Sequence, residues 1–262
     1  MEPPDRPLDD RVAIVTGAAA GIGRATAYRL ARSGARVALC DRDGEGLAGL
    51  ATDLGGHAAT LDVRDADAVD VFVADVVGRH GPIDVLVNNA GGTFFGSFLD
   101  LSPRGEAALV AENFTQVTHL VRAVVPEMSG SGGSIVNVTS IEAHQASPGF
   151  AVYGAMKAAL AQLTRTLALE LASSRIRVNA VAPDAIPTSG DDDLQASMRV
   201  EGLAFEPAVL PPLGFFGTPD DAAAVIEFLA SDASRFVTGT TLHVDGGNWA
   251  AGGWRGPQAH DS

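Results

Sequence analysis

The sequence predicts an α/β protein, a doubly wound parallel sheet with helices on both faces. Two observations predict it. Short apolar runs alternate along the chain with segments of helical spacing, and such alternation requires right-handed crossovers that lay helices over both sides of a parallel sheet. One run, Ile83-Asp84-Val85-Leu86-Val87, is nearly continuous in its apolar character, as a central strand covered on both faces must be. With 262 residues and 46% hydrophobic content, residues 1–262 are expected to bury one core as a single nucleotide-binding domain.

The elements follow in order. Residues Arg11 to Gly23 are a buried-strand run that ends at Thr16-Gly17 and turns through Gly21-Ile22-Gly23 into a helix, Arg24 to Ser33. Glycines let a backbone approach a pyrophosphate closely, and the helix behind them offers unpaired N–H groups and a positive dipole end. The spacing is G-x-x-x-G-x-G rather than G-x-G-x-x-G. The next strand, Arg36 to Cys40, ends at Asp41, 24 residues after Gly17. A carboxylate there accepts both hydroxyls of an adenosine ribose and repels a 2′-phosphate, which predicts NAD over NADP. Its neighbour Arg42 would either pair with a phosphate or stack on adenine. A glycine-rich helix leads to a short strand, His57 to Leu61, followed by Asp62-Val63. Asp62 would meet the adenine amino group or cap the next helix, a task Asp65 could equally perform.

Helix Ala66 to Arg79 has apolar residues at positions 69, 72, 73, 76 and 77, which is helical spacing. The strand Ile83 to Val87 ends in Asn88-Asn89-Ala90-Gly91, read as amide bracing plus a glycine for close approach. A long helix, Ser102 to Met128, carries Asn113. The strand Arg177 to Ala182 ends in Pro183-Asp184. Residues from about 184 to 217 lack sustained periodicity and hold Asp191 to Asp193 among scattered Leu203, Phe205, Leu213 and Phe215; a segment of this kind reads as a substrate lid. Helix Pro219 to Ala230 and strand Thr241 to Val244 close the pattern.

The candidate chemistry lies between Ser134 and Leu169. A strand ends in Ser140, and a long helix from Phe150 to Ala172 carries Tyr153 and Lys157, four residues apart and so on one face. A phenol with a reference pKa of about 10 becomes a usable acid/base at neutral pH when a cation beside it stabilises the phenolate. Ser140, thirteen residues before Tyr153, could hydrogen-bond the same substrate oxygen. Composition sharpens the assignment, because Lys157 is the sole lysine in the chain, every other such cation being arginine. An ammonium is a compact point charge that a guanidinium does not replace.

Net charge of −14 argues against a nucleic-acid or anionic-membrane partner. No apolar run spans a bilayer, and the N-terminus resembles no signal peptide, so a cytoplasmic protein is expected. The single cysteine, Cys40, permits neither an internal disulfide nor a cysteine metal site, and the six histidines form no ligand-spaced set. No metal is expected.

Assembled in order, Thr16-Gly17-x-x-x-Gly21-x-Gly23, Asp62, Asn88-Asn89-Ala90-Gly91, Asn113, Ser140, Tyr153-x-x-x-Lys157 and Arg177-Val-Asn-Ala-Val-Ala-Pro183 resemble the short-chain dehydrogenase/reductase family over essentially the full length. The resemblance implies a Rossmann-type sheet of seven strands, order 3-2-1-4-5-6-7, and NAD(P)-dependent oxidoreduction. It implies Tyr153 as acid/base, Lys157 lowering its pKa and holding the nicotinamide ribose, Ser140 positioning the substrate oxygen and Asn113 supporting a water-linked proton relay. It further implies cofactor contacts from Gly17, Gly21, Ile22, Gly23, Asp41, Arg42, Asp62, Val63, Asn89, Ala90, Gly91, Pro183, Ile186 and Thr188, joined by Tyr153 and Lys157, and a homotetramer or homodimer. Three positions depart from the family pattern: Asp184 replaces a glycine, Phe215 replaces an arginine, and Ala20 stands where phosphate-preferring members carry a basic residue.

The expected function is NAD-dependent interconversion of a secondary alcohol and a ketone on a medium-sized, largely apolar small molecule such as a steroid, terpenoid or cyclic alcohol. Phe94, Phe95 and Phe150 would line its pocket, and Glu142, His144 and Gln145 could hold a polar group. A 3-oxoacyl-thioester reductase is the alternative, for which an acidic lid is a poor entrance. A nucleotide-sensing protein without catalysis is the alternative of another class, and the intact Ser140, Tyr153 and Lys157 set speaks against it.

Overall fold

The computed structural model of the protein describes residues 6–128, 130–188 and 210–252. Seven strands form one wholly parallel sheet: β1 (Val12–Thr16), β2 (Arg36–Asp41), β3 (His57–Thr60), β4 (Val85–Asn88), β5 (Gly133–Val138), β6 (Ile176–Pro183) and β7 (Thr241–Val244), in the order β3-β2-β1-β4-β5-β6-β7. The expected order is the observed one. Between the strands run α1 (Gly21–Arg32), α2 (Gly44–Leu54), α3 (Ala66–His80), α4 (Pro103–Val110), α5 (Gln116–Val124), α6 (Ala151–Glu170) and α7 (Pro219–Ala230), and a short α8 (Asn248–Ala251) ends the described chain.

Alternation along each strand sorts the core into two layers, because successive side chains point to opposite faces. Ala13, Val15, Val37, Leu39, Val85, Val87 and Val136 pack with Leu30, Leu47, Leu50, Ile226 and Leu229 on one face. Val12, Ile14, Ala38, Cys40, Leu86, Ile135 and Val178 pack with Phe72, Val76, Leu120, Val124 and Leu160 on the other. Each Val, Leu, Ile or Phe among them contributes roughly 1.5–3 kcal/mol when fully buried. Cys40 is a core residue, and burial pushes its thiol pKa upward, away from nucleophilic use.

Local chemistry sets the helix starts. Asp43 caps the glycine-rich α2 by accepting from the N–H groups of Glu45 and Gly46, and Asp65 caps α3 by accepting from Asp67 and Ala68. Thr218 and Asp221 form a reciprocal capping box on α7. The cap of α1 differs: Ala20 has no side chain to offer, and no acidic residue lies in the first turn. Its leading N–H groups are therefore left for something other than a side-chain cap.

One expected element is corrected. The stretch from Ser102 to Met128 is not a regular helix, since α4 passes through a π-helical turn, Ala111–Thr115, before α5 begins. Such turns widen a helix by one residue and occur frequently at functional sites. Asn113 sits in this turn, fully buried.

A buried polar chain crosses the sheet. Asn88 Nδ2 donates to Asn137 Oδ1 at 2.8 Å, Asn137 Nδ2 donates to Thr164 Oγ1 at 2.8 Å, and Thr164 donates to the Leu160 carbonyl at 2.9 Å. It joins β4, β5 and α6 through their own side chains.

Candidate active site

The carboxyl ends of β1, β2, β4, β5 and β6 border a cavity of about 720 Å³. Its lining includes Gly17, Gly21, Ile22, Asp41, Arg42, Asp62, Val63, Asn89, Ala90, Gly91, Ser140, Tyr153, Lys157, Pro183 and Thr188, so most of the residues singled out in the sequence converge there.

The glycine turn is braced from the neighbouring strand. Thr16 Oγ1 accepts from the backbone N–H groups of Asn89 and Ala90 at 3.1 and 3.0 Å, and Asn89 Nδ2 donates to the carbonyls of Thr16 and Gly17 at 3.0 Å each. Gly17 has φ +64°, and a Cβ on it would lie 2.9 Å from Ala90 Cα. Gly23 is not among the residues that line the cavity, and a Cβ on it would fall 2.0 Å from the Gly17 carbonyl oxygen, so backbone packing also requires glycine there. Gly23→Ala is therefore expected to lower the melting temperature by several degrees, for about 1–3 kcal/mol of overpacking. It should also weaken NADH binding at least about tenfold by pushing the cradle open; thermal denaturation and a fluorescence titration would read the two effects.

Asp41 stands at the end of β2 with both carboxylate oxygens anchored. Oδ2 accepts from the Ala19 N–H at 2.9 Å and Oδ1 from the Asp43 N–H at 3.0 Å, leaving the remaining lone pairs for a ligand's hydroxyls. Asp62 is corrected on one count: it does not cap α3, which Asp65 does. Its carboxylate instead takes the Arg64 guanidinium, with Nε 2.9 and 3.0 Å from the two oxygens, and that pairing holds Asp62 below the usual carboxylate range. Arg42 is largely exposed, and its Nη1 lies 4.0 Å from Glu112 Oε1.

At the other end of the cavity, Lys157 is 4% exposed and donates to the Val138 carbonyl at 3.0 Å. Its Nζ lies 5.6 Å from the centroid of the Tyr153 ring, as the four-residue spacing requires. Burial pulls the ammonium pKa down to about 8, against the opposing fields of Glu112 and Glu142. Asn113 Nδ2 donates to the carbonyls of Gly92 at 2.8 Å and Leu109 at 3.0 Å. Its Oδ1 is buried without a protein partner and would be 3.0 Å from a Cβ on Gly91, with Lys157 Nζ at 3.2 Å from the same point. An orphaned acceptor and a buried ammonium thus face one small space that only glycine leaves open, which fits a bridging water.

Ser140, at the end of β5, donates its hydroxyl to the Glu142 carboxylate. Phe94 lines the cavity, whereas Phe95 and Phe150 pack edge-to-face at 5.6 Å. His144 is turned toward His243 and Trp249, with ring centroids 4.7 and 5.5 Å away. The Ile186 side chain is buried away from the cavity, 3.0 Å from where a Gly217 Cβ would sit. Asp184 turns from the cavity to accept from Asn248 Nδ2 at 2.7 Å. Asp191 to Asp193, Leu203 and Phe205 lie outside the described residues. Sequence reasoning missed Glu112 and Arg64 as lining residues, and neither has a local signal that separates it from a solvated surface charge.

The residues present fit a dinucleotide. The uncapped start of α1 and the glycine cradle suit a pyrophosphate, and Asp41 suits a ribose diol. Among the described residues no group of acidic, histidine or cysteine side chains could hold a metal ion, and no helix is long and apolar enough to cross a membrane.

A family model described as enoyl-(acyl carrier protein) reductase matches residues 17–248. The chain is 40% identical to the 3-oxoacyl-[acyl-carrier-protein] reductase FabG of Thermotoga maritima, over 92% of this chain and 98% of that one. It is 38% identical to cyclohexanol dehydrogenase of Rhodococcus sp., over 92% and 97% respectively. Among solved structures, carveol dehydrogenase from Mycobacterium avium in complex with NAD superposes with a TM-score of 0.85 at 33% identity, covering 93% of this chain and 99% of that one.

Proposed function

The chain belongs to the short-chain dehydrogenase/reductase family, and from that premise we propose an NAD-dependent oxidoreductase that interconverts a secondary alcohol and a ketone on a medium-sized, largely apolar substrate. The observation that carries the reading is one cavity with the buried Lys157 and Tyr153 at one end and an anchored Asp41 at the other.

Bound nicotinamide supplies the hydride acceptor in oxidation and the hydride donor in reduction. The chain supplies the proton and the geometry. Tyr153 Oη takes the substrate hydroxyl proton in oxidation and returns it in reduction. Lys157 Nζ, held beside the ring by the Val138 carbonyl, stabilises the phenolate and would hold the ribose of the cofactor. A water donating to Asn113 Oδ1 beside Lys157 would carry the proton from Tyr153 to solvent in oxidation and back to it in reduction. Ser140 orients the substrate oxygen once its hydroxyl turns from Glu142. Phe94 in the cavity lining, with Leu61 and Val63 that also border it, favours an apolar substrate.

A second reading, reduction of a 3-oxoacyl thioester, is favoured by the identity to the Thermotoga protein. Cyclohexanol and carveol with NAD, against acetoacetyl-CoA with NADH and NADPH, separate the two. Cofactor preference has its own test. The wild type is expected to bind NADH at least about tenfold more tightly than NADPH, because the additional 2′-phosphate beside a carboxylate costs several kcal/mol, and Asp41→Ala should erase the difference. Equal or tighter NADPH binding in the wild type would sink the NAD assignment and favour the thioester reading.

A further inference from the structure

Two guanidiniums border the adenosine end of the cavity, and each has a carboxylate beside it. Arg64 is clasped by Asp62 through two hydrogen bonds from Nε, at 2.9 and 3.0 Å. Arg42, next to Asp41, has its Nη1 4.0 Å from Glu112 Oε1. Glu112 comes from the π-helical turn on the far side of the groove, so this pair spans from the end of β2 to the helix wall opposite. Its carboxylate is seated on Gly92, where a Cβ would lie 2.9 Å from Oε1 and 3.2 Å from Cδ. A side chain at position 92 would displace it.

Charge in the cavity is balanced rather than basic. The acidic and basic residues among its described lining are Asp41, Asp62 and Glu112 against Arg42, Arg64 and Lys157. Lys157 is buried at the far end, and Arg64 is engaged. Arg42 is the guanidinium positioned to reach a phosphate on the adenosine 2′-oxygen, since it immediately follows the residue that meets the ribose diol. Asp41 accounts for repulsion of that phosphate, but it does not remove the pull of an exposed arginine one residue away.

We infer that Glu112 is a second determinant of cofactor choice, restraining Arg42 so that its guanidinium does not serve a 2′-phosphate. Glu112 acts through Arg42 rather than by touching the reacting atoms, and the inference rests on the NAD reading above. The Glu112 carboxylate lies across the groove from the end of β2, so its attraction on Arg42 is directed toward the helix wall. An exposed pair is screened by salt, so the effect belongs to low and moderate ionic strength.

The test is a double-mutant cycle read by binding. NADH and NADPH are titrated separately, by reduced-nicotinamide fluorescence at roughly 50 mM salt, into wild type, Glu112→Gln, Arg42→Ala and the double variant. Glu112→Gln should tighten NADPH binding about three- to fivefold and leave NADH binding within about 1.5-fold, the range that a partly exposed ion pair supplies. In the Arg42→Ala background the same change should leave NADPH binding unaltered. The inference is overturned if Glu112→Gln shifts both nucleotides equally, shifts neither, or keeps its NADPH gain without Arg42. Failure of the underlying reading looks different: wild type would then prefer NADPH, while the cycle would still report whether Glu112 and Arg42 are coupled.

Discussion

Tyr153→Phe is expected to lower turnover of the best alcohol substrate by about 10²–10⁴-fold, the range that a positioned general acid/base supplies, while NADH binding changes by less than about twofold. The substitution removes one oxygen and keeps the ring over which Lys157 Nζ lies, 5.6 Å from its centroid. Cofactor affinity should survive, because the cradle built by Thr16, Gly17 and Asn89 is untouched. Steady-state kinetics on the responding alcohol, with a parallel NADH titration, measures both quantities. Turnover within threefold of wild type would show that another group carries the proton.

Lys157→Met has the second largest expected effect, and it moves activity and stability in opposite directions. Turnover should fall at least about 10²-fold, because the phenolate loses its buried cation. Stability of the cofactor-free protein at pH 7 should rise. The native ammonium titrates at about 8, below its ordinary 10.5, so below pH 8 the folded chain carries the whole cost of burying that charge. Between pH 8 and 10.5 the unfolded chain holds a proton that the native one has released, and stability therefore increases with pH through this window. The difference corresponds to roughly 3 kcal/mol as an upper bound, offset by about 1 kcal/mol for the hydrogen bond that Val138 loses. A higher melting temperature at pH 7, with the rise between pH 8 and 10 flattened, is the expected calorimetric result. A variant that melts lower than wild type at pH 7 would mean that the Val138 contact outweighs the burial of the charge.

Much of this site was legible because its residues stand where local pattern changes. Glycine turns, a carboxylate after a strand and a Tyr/Lys pair at helical spacing each mark a strand's carboxyl end or the helix beside it, and a parallel sheet gathers those ends in one place. The π-helical turn left no such mark. Within it Asn113 hydrogen-bonds the carbonyls of both Gly92 and Leu109, and the first of these is a tertiary contact with no periodic signature. Asp62 and Glu112 illustrate the same limit, since the partner of each carboxylate is chosen by packing: Arg64 two residues away in one case, Arg42 across the groove in the other. Gly23 shows how a motif position can also answer to packing, since a Cβ there would collide with the Gly17 carbonyl.

The polar chain from Asn88 through Asn137 to Thr164 bears on how the molecule reaches its native arrangement. Asn88 and Asn137 are direct partners in the β4–β5 ladder, so a slip of one residue during assembly would bury both amides against hydrocarbon. The chain therefore works as a proofreading device for strand alignment. Because Thr164 extends it to the helix that bears Tyr153 and Lys157, a misaligned sheet would also lose its buried hydrogen bond to that helix, so strand register and the seating of these two side chains are coupled.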